Sequence, residues 1–336
     1  MSGGALISRP GLETVPCRVC GADDPRPGLD KHGLVYVRCG SCGLLYVRER
    51  PDAGRRSAHQ EEWAARHHAT DERVADDDSA VKERLLYGPY LRRLEPFRQT
   101  GHLLDVGCGS GGFLAAARRR DWAVSGVELS RTNVQVARQV RGLDVRRGSL
   151  EGAGFPDGRF DAVTLWEVIE HVPDPGATLA EAVRVLRPGG ALFLSTPNAA
   201  SLSRLVLGAD YPPFIPWDHL QVFTAATLRE ALGRAGLRVE RLVSRELNPF
   251  LIAGFLRRRR RPAAASNGEF ETHQAATRQA KGALAARAWV RLTRAVVNAA
   301  LRWTGLGDVL EALARKPASP PSRAGAPARS GPATGG

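Results

Sequence analysis

The chain has 336 residues, 43% of them hydrophobic, enough for one main domain with a sizeable core plus an accessory module. Its formal net charge of +13 is concentrated at one end, because residues 251–336 carry 15 Lys or Arg against 4 Asp or Glu. The excess positive charge therefore indicates a negatively charged partner of that segment and says nothing about partners of the core. The start MSGGALISRP has no basic and apolar signal pattern, and no stretch reaches the roughly 20 apolar residues of a membrane span. We expect a cytoplasmic protein with reduced thiols.

Four of the five cysteines lie in residues 1–50, as CRVC and CGSC. Two C-x-x-C pairs at this separation are a typical ligand set of tetrahedral zinc, so the sequence predicts a Zn²⁺ site at Cys17, Cys20, Cys39 and Cys42. Disulfides, which a cytoplasmic location disfavours, and an iron–sulfur centre are the alternatives. Because four thiolates leave no open coordination position, we expect the zinc to be structural.

Residues 51–98 are polar, with helical spacing, and are predicted to form a helical linker or cap. Between residues 99 and 244, short apolar stretches alternate with helical ones, which indicates a Rossmann-like, doubly wound α/β sheet. Strands are predicted at 102–107, 123–129, 143–148, 160–166, 191–198 and 237–244. A seventh strand is predicted within 307–317, after an insert at 245–306. The Pro- and Ala-rich tail 318–336 is predicted to be disordered.

The loop after the first strand, in LLDVGCGSGGFL, satisfies the glycine pattern of dinucleotide binding. Asp105 ends that strand, where a dinucleotide fold usually has an apolar residue; a carboxylate there repels pyrophosphate and favours a cationic ligand. A phosphate-binding P-loop is excluded because no Gly-Lys-Ser/Thr follows. Glu128, at the end of the second strand, is placed to accept hydrogen bonds from a ribose diol.

Together, LLDVGCGSG, GVELS, FDAVTLWEVIEHV and LRPGG resemble the successive motifs of class I S-adenosylmethionine (SAM)-dependent methyltransferases, over roughly residues 85–245. The resemblance implies SAM as cofactor, with its methionine part over the glycine loop and its adenine beside Leu129. The cofactor-binding residues that it implies are Asp105, Gly107, Gly109, Gly111, Glu128, Leu129, Ser149, Leu150 and Trp166.

Three candidate catalytic residues follow the fourth strand, in WEVIEHV. Glu167, Glu170 and His171 offer proton acceptors, and His171 is the best candidate base because imidazole titrates near neutrality. The stretch is similar to that of ubiquinone-pathway O-methyltransferases, which implies that E-x-x-E-H could hold a divalent cation that orients the acceptor. The alternative is that His171 only braces the next helix.

A second cluster lies at residues 211–224, YPPFIPWDHLQVFT. Its aromatic side chains beside Asp218 and His219 suit an acceptor pocket, and His219 is a further catalytic candidate. The alternative is a lid in which His219 has a structural role.

The insert combines RRRRR at 257–261 with GALAARAWVRLTRAVVNAALRW at 282–303. On a helix, the second stretch has an arginine face opposite an apolar and aromatic face, as in helices that lie on anionic lipid. We therefore predict contact with an anionic membrane surface through residues 257–303. A helix packed on the protein itself or in a dimer, and RNA binding, are the alternatives.

The sequence as a whole predicts a SAM-dependent methyltransferase with a small-molecule, lipid-linked or glycan acceptor, O-methylation being preferred. We expect it in the cytoplasm, peripherally on the membrane. One alternative is an RNA methyltransferase that grips RNA with the zinc module and the arginines. Another is an inactive scaffold of the same fold that binds a membrane or partner.

Overall fold

The computed structural model describes residues 11–67, 83–259, 297 and 299–318. Most of the predicted amphipathic helix and the tail beyond residue 318 lie outside the described residues. None of the helices in the described ranges combines the length and the apolar character needed to cross a bilayer.

The N-terminal part, which we call the cysteine module (residues 11–51), consists of short antiparallel strands. They are β1 (Leu12–Thr14), β2 (Pro25–Lys31), β3 (Leu34–Cys39), β4 (Leu45–Val47) and β5 (Glu49–Pro51). β1 pairs with β5, and β3 pairs with both β2 and β4. Helix α1 (Ala53–His67) follows, and helix α2 (Gly88–Leu94), preceded by one π-helical turn, leads into the core.

The core is a seven-stranded sheet with helices on both sides. Its elements are β6 (His102–Val106), α3 (Gly112–Arg118), β7 (Ala123–Glu128), α4 (Arg131–Gln135), β8 (Val145–Arg147), β9 (Phe160–Trp166), α5 (Pro175–Val185), β10 (Leu186–Pro197), α6 (Leu202–Leu207), β11 (Gln221–Val222), α7 (Ala225–Arg234), β12 (Arg238–Arg245), α8 (Pro249–Arg259) and β13 (Val309–Arg315). Of these strands, only β11 lies outside the seven-stranded sheet.

The strand order is β12-β13-β10-β9-β6-β7-β8. The strands from β10 to β8 in this order run parallel, whereas β13 is antiparallel to both β10 and β12. The seven predicted strands are all present, and the prediction of a Rossmann-like, doubly wound sheet is confirmed. The order reverses between β6 and β9, and in such sheets ligands bind at the carboxyl ends of the strands around that point.

Alternation along the strands divides the core into two layers. Leu104 and Val163 belong to the layer that packs against α5, while Leu103 and Ala162 belong to the layer under α2 and α3. Because successive side chains of a strand point to opposite faces, Asp105 and Thr164 lie on the α2–α3 face. That face therefore carries two polar groups at the carboxyl ends of adjacent strands.

The helices begin where their sequences provide caps. Ser130, Asp174 and Ser201 each accept a hydrogen bond from the backbone N–H three residues on, at the starts of α4, α5 and α6. Thr224 and Thr227 form a reciprocal capping box at the start of α7.

The cysteine module is joined to the core through a second sheet of four strands, in the order β11-β4-β3-β2. β11 comes from residues 211–224, which we call the acceptor loop. Cys17 and Cys39 are buried in the same hydrophobic cluster as Leu104 and Leu165 of the core sheet.

Candidate active site

The loop after β6, which we call the cofactor loop (residues 105–112), turns sharply over the carboxyl ends of β6 and β7. Gly107, Gly109 and Gly111 all have positive φ, at 68°, 55° and 88°. A Cβ at Gly107 would lie 2.6 Å from Val168 Cγ2, whereas a Cβ at Gly109 would meet nothing within 4 Å. Glycine is thus required for packing at Gly107, while Gly109 faces open space that a ligand could occupy.

Asp105 and Glu128 form the acidic part of this loop. Asp105 is 2% exposed and accepts a hydrogen bond of 2.6 Å from Thr164 Oγ1. Burial, with the charge of Glu128, raises the pKa of Asp105 to about 7. Glu128 accepts hydrogen bonds from the backbone N–H groups of Gly109 (2.9 Å) and Ser130 (2.8 Å). A cationic ligand would stabilise the ionised form of Asp105, so the pair fits a sulfonium such as that of SAM.

The predicted adenine side of the site lies beyond the end of β7. Leu129 is 49% exposed, which is unusual for leucine, and it lines a cavity of about 260 Å³. Ser149, which follows the lining residue Gly148 in the chain, is exposed, whereas Leu150 is buried. The cavity is also lined by Ser57 and Glu61 of α1, which the sequence had not indicated because an exposed polar helix carries no signal of what it covers.

Trp166 ends β9 within a cluster of aromatic rings. Its ring centroid lies 4.5 Å from Tyr90, 4.8 Å from Phe193 and 5.1 Å from Phe113. Its buried Nε1–H has no hydrogen-bond partner. An unpartnered donor in this position is consistent with the predicted place of Trp166 at the cofactor pocket, since buried donors are nearly always satisfied.

The second half of the site combines the turn after β9 with the acceptor loop. His171 Nδ1 lies 3.0 Å from the backbone oxygen and 3.1 Å from the Oδ1 of Asp218. His171 Nε2 is 3.9 Å from Glu170 Oε1. The rings of His171 and His219 are 4.6 Å apart, and His219 Nδ1 lies 2.7 Å from the oxygen of Pro213. The structure thus brings together three of the four candidate catalytic residues.

The two histidines of this cluster have opposite pKa shifts. Burial alone would lower the pKa of His171, but hydrogen bonding to Asp218 and the charge of Glu170 raise it to about 9. Burial and the neighbouring His171 lower the pKa of His219 to about 4. At neutral pH the cluster therefore holds one positive imidazole and one neutral imidazole.

Glu170 is fully buried and only half satisfied. Its Oε2 accepts a hydrogen bond of 3.0 Å from Thr196, while Oε1 has no partner. Candidate metal-ligating atoms of Glu170, His171 and His219 lie within 4.8 Å of one another. The donors fit a divalent cation, yet this set contains His219 where the resemblance implied Glu167.

Glu167 is not one of the three residues whose candidate ligand atoms converge, although its carboxyl group interacts with the charge of Glu170. Its backbone has φ of 53°, uncommon for a residue with a side chain, and its side chain is exposed. Desolvation by the surrounding atoms, together with Glu170, raises the pKa of Glu167 to about 8. The strained turn points to a position that the fold holds for a reason other than packing.

The aromatic residues of the acceptor loop divide into two groups. Tyr211 and Phe214 are each 2% exposed and pack with Leu207, Phe255 and Tyr36, so they support the loop. Trp217 is only partly buried.

The four predicted zinc ligands converge. Sγ of Cys17 lies 3.6 Å from that of Cys42, and Sγ of Cys20 lies 3.5 Å from that of Cys39. All four sulfurs lie within 4.8 Å of one another, and none of these cysteines forms a disulfide. After each C-x-x-C pair, Gly21 and Gly43 turn the chain with φ near 80°. The donors match a four-thiolate metal site.

Comparison with known proteins bears on this geometry. A family model for a methyltransferase domain matches residues 80–242. The ubiquinone biosynthesis O-methyltransferase of Thiobacillus denitrificans is 39% identical over 160 residues, which is 44% of this chain and 68% of that protein. The protein of the same name from Xanthomonas oryzae is 43% identical over 118 residues, 32% of this chain and 49% of that protein.

The match thus spans 68% of the first relative and about half of the second. Among solved structures, a SAM-dependent methyltransferase from Archaeoglobus fulgidus gives a TM-score of 0.46 at 18% identity, covering 70% of this chain and 94% of that one. The family model covers the cofactor loop and the turn after β9, where the predicted motifs lie, and the Thiobacillus relative is matched over two thirds of its length. The chain therefore belongs to the class I SAM-dependent methyltransferases and is a methyltransferase.

Proposed function

We propose that the protein transfers the methyl group of SAM to a hydroxyl oxygen of a small molecule. The observation that carries this is the His171–Asp218 pair beside Glu170, at the same edge of the sheet as the cofactor loop. The names of the ubiquinone biosynthesis O-methyltransferases support the choice of oxygen as acceptor atom. A phenolic acceptor is part of our proposal.

In this proposal the cofactor loop binds SAM, and the His171–Asp218 half of the site acts on the acceptor. SAM supplies a methyl group already activated on a sulfonium, so the protein has to position the acceptor and remove its proton. Asp218 fixes the ring of His171 through Nδ1, which leaves Nε2 as the atom that takes the acceptor proton. Since the pKa of His171 is about 9 in the free protein, proton removal becomes effective as the pH rises toward that value.

A divalent cation is the competing assignment for the same donors. Held by Glu170, His171 and His219, it would lower the pKa of an acceptor hydroxyl by its charge. The two assignments differ in their response to a chelator, because proton removal by His171 alone survives metal removal.

Structural zinc in the cysteine module is the second part of the proposal. It is supported by the four cysteine sulfurs, which lie within 4.8 Å of one another and together form a thiolate ligand set typical of structural zinc. Because four thiolates close the coordination shell, the ion serves the fold of the module and takes no part in methyl transfer.

We further propose that the protein attaches peripherally to anionic membranes. Such attachment would place it near a lipid-linked acceptor. In the described residues it is supported by Leu256, which is 48% exposed, beside Arg257 at the end of α8. Trp303, on the chain that returns to the core, is 91% exposed. Exposed aromatic and leucine side chains beside arginine suit a lipid headgroup region.

The decisive experiment measures SAM binding by calorimetry and methyl transfer from labelled SAM to simple catechols, isoprenyl-linked phenols, glycans and RNA. We expect transfer to phenolic oxygen that falls at least about 100-fold in His171→Ala while SAM affinity stays within about twofold. The same assay with a chelator distinguishes proton removal by His171 from activation of the acceptor by a divalent cation. Transfer by His171→Ala at the wild-type rate would refute the assigned role, and transfer only to RNA would favour the RNA methyltransferase.

A further inference from the structure

The cysteine module contributes three of the four strands in the sheet that contains β11 of the acceptor loop. β11 pairs antiparallel with β4, so that Gln221 lies opposite Tyr46 and Val222 opposite Leu45. Val47 N–H donates to the oxygen of Leu220 over 2.8 Å. A strand of two residues has no stability of its own, and its position is therefore set by the sheet that it joins.

Tyr36 of β3 makes the contact nearest to the chemistry. Its side chain is fully buried, and its hydroxyl donates a hydrogen bond of 2.7 Å to the backbone oxygen of His219. Its ring lies 5.2 Å from that of Phe214. Tyr36 stands three residues before Cys39, in the strand that ends at the metal site.

The same loop also supports the turn after β9. Leu220 N–H donates to the oxygen of Glu170 over 2.8 Å. Gln221 Nε2 donates to the oxygens of Ile169 (2.6 Å) and Val172 (2.9 Å), which flank Glu170 and His171. A displacement of β11 would therefore move Asp218 and the turn that carries His171 together.

The other polar contacts between the module and the core also lie near the turn of His171 and the acceptor loop. Arg50 donates to the oxygen of Pro173 over 2.7 Å, and Lys31 pairs with Asp210 at 3.6 Å. Pro173 follows the turn of His171, and Asp210 precedes the acceptor loop. Asp105 and Glu128, by contrast, receive their hydrogen bonds from the core itself.

We propose that the cysteine module positions the acceptor half of the active site, with Tyr36 as its positioning residue, and that the metal on its four cysteines maintains this support. The inference rests on the proposed function only in assigning the acceptor to the His171–Asp218 half. It separates two functions of one site: the module holds the acceptor half, whereas the core, with α1 at the adenine side, holds SAM.

The test compares Tyr36→Phe with Tyr46→Phe in the full chain. Tyr46 is the matched control, because it is 3% exposed, lies in the adjacent strand β4 and has a hydroxyl without a partner. Phenylalanine at position 36 keeps the ring packed on Phe214 and removes only the hydrogen bond to His219. Hydrogen–deuterium exchange is read in peptides covering residues 211–224 and residues 103–130, and SAM affinity is measured by calorimetry.

We expect Tyr36→Phe to speed exchange in residues 211–224 by about fivefold or more, with exchange in residues 103–130 and SAM affinity unchanged. With a phenolic acceptor, kcat/KM for the acceptor falls while KM for SAM stays constant. Tyr46→Phe leaves all of these values at wild type. Equal exchange in the two variants, or a parallel loss of SAM affinity in Tyr36→Phe, would overturn the proposal.

A second arm removes the metal from the wild-type protein. Zinc-loaded and chelator-stripped samples, with metal content verified, are compared by the same exchange and binding measurements. We expect stripping to reproduce the Tyr36→Phe pattern more strongly; unchanged exchange in residues 211–224 would refute the role of the metal. Both arms can be read without an acceptor, so the failure of every acceptor would count against the proposed function alone.

Discussion

Two fully buried aspartates differ in how the fold compensates their charge. Asp161 accepts hydrogen bonds from Arg187 and from the backbone N–H groups of residues 99–101, which together hold its pKa below the ordinary value despite burial. Asp105 has a single hydroxyl partner, Thr164, and its pKa is raised to about 7. Asp161 is thus compensated within the fold, and Asp105 is left for a ligand to compensate.

The first prediction concerns Asp105→Asn. A carboxyl group whose pKa rises from 3.8 to about 7 on folding costs stability progressively between those two pH values, up to about 4 kcal/mol above pH 7. Asparagine does not ionise and can still accept from Thr164. We expect the variant to equal the wild type in thermal stability near pH 4, to exceed it at pH 8, and to bind SAM at least about tenfold more weakly. Melting curves across pH and calorimetry measure both effects.

Asp161→Asn is the matched control with the opposite sign. Its pKa is lowered on folding, so its stabilising contribution is present above the unfolded pKa and is lost as the pH falls. In this variant Arg187 loses the carboxylate with which it pairs. We expect the free energy of unfolding at pH 7 to fall by about 3 kcal/mol. An Asp105→Asn protein that is less stable than the wild type at pH 8 would contradict the account given for Asp105.

Residue types and spacing predicted that Asp105 and Glu128 end strands of the site, but they did not predict which groups these carboxylates contact. Asp105 and Glu128 stand in recognisable motifs, whereas Thr164 is a single hydroxyl in the apolar strand FDAVTLW. Only the register between β6 and β9 places Thr164 beside Asp105. Likewise, WDH was recognisable as polar and aromatic, but nothing local in it shows that Asp218 contacts His171.

Among the elements, β11 is the one on which the acceptor half depends most. Its Gln221 is 2% exposed and satisfies two carbonyls of the turn after β9. Helix α7 begins three residues later with the cap Thr224, whose side chain forms its hydrogen bonds with Thr227 of the same helix. The two positions therefore separate loss of support from loss of helix stability.

The second prediction compares Gln221→Leu with Thr224→Ala. Leucine at position 221 leaves two buried carbonyls without a donor and should lower the free energy of unfolding by about 2–3 kcal/mol. Alanine at position 224 removes the cap and should cost about 1 kcal/mol. We expect only Gln221→Leu to reduce methyl transfer under conditions in which both proteins are folded. Denaturant unfolding and transfer assays measure this, and equal activity of the two variants would count against the role of Gln221.

The central strands of the core, such as HLLDV and FDAVTLW, could be predicted because each is a short apolar run of the right length. The sequence predicts the fifth strand over 191–198, while β10 begins already at Leu186, because Leu186 pairs with Phe160 across an irregular register. β11 was beyond prediction, since two residues carry no periodicity and its partner strand lies far away in sequence. Long-range pairing of this kind is set by tertiary packing and not by local pattern.

At the scale of the whole molecule, the charge is unevenly distributed. The first 250 residues are nearly neutral, and the excess of +11 belongs to residues 251–336. Any partner that recognises the charge is expected to act on the segment and not on the cofactor site.

The third prediction is that the protein sediments with anionic vesicles at low salt. Arginines near such a surface contribute about 1 kcal/mol each, so replacing the five arginines at 257–261 with glutamine should abolish most of the binding. Neutral vesicles are the control for the lipid, and unaltered SAM affinity is the control for the fold. No pelleting of the wild type at low salt would rule out membrane attachment by this segment.

The antiparallel strand β13 has a consequence for how the molecule is made. It lies between β10 and β12, yet it follows both of them and the whole insert in the chain. While the chain is being synthesised, β10 and β12 must wait as open edges until residues 309–315 emerge, and such edges invite pairing with other chains. The basic segment delays that closure only modestly, because the entropy of closing a loop grows slowly with its length. The emergence of residues 309–315, and not that of the last candidate catalytic residue, is therefore the step at which the sheet of the nascent chain can close.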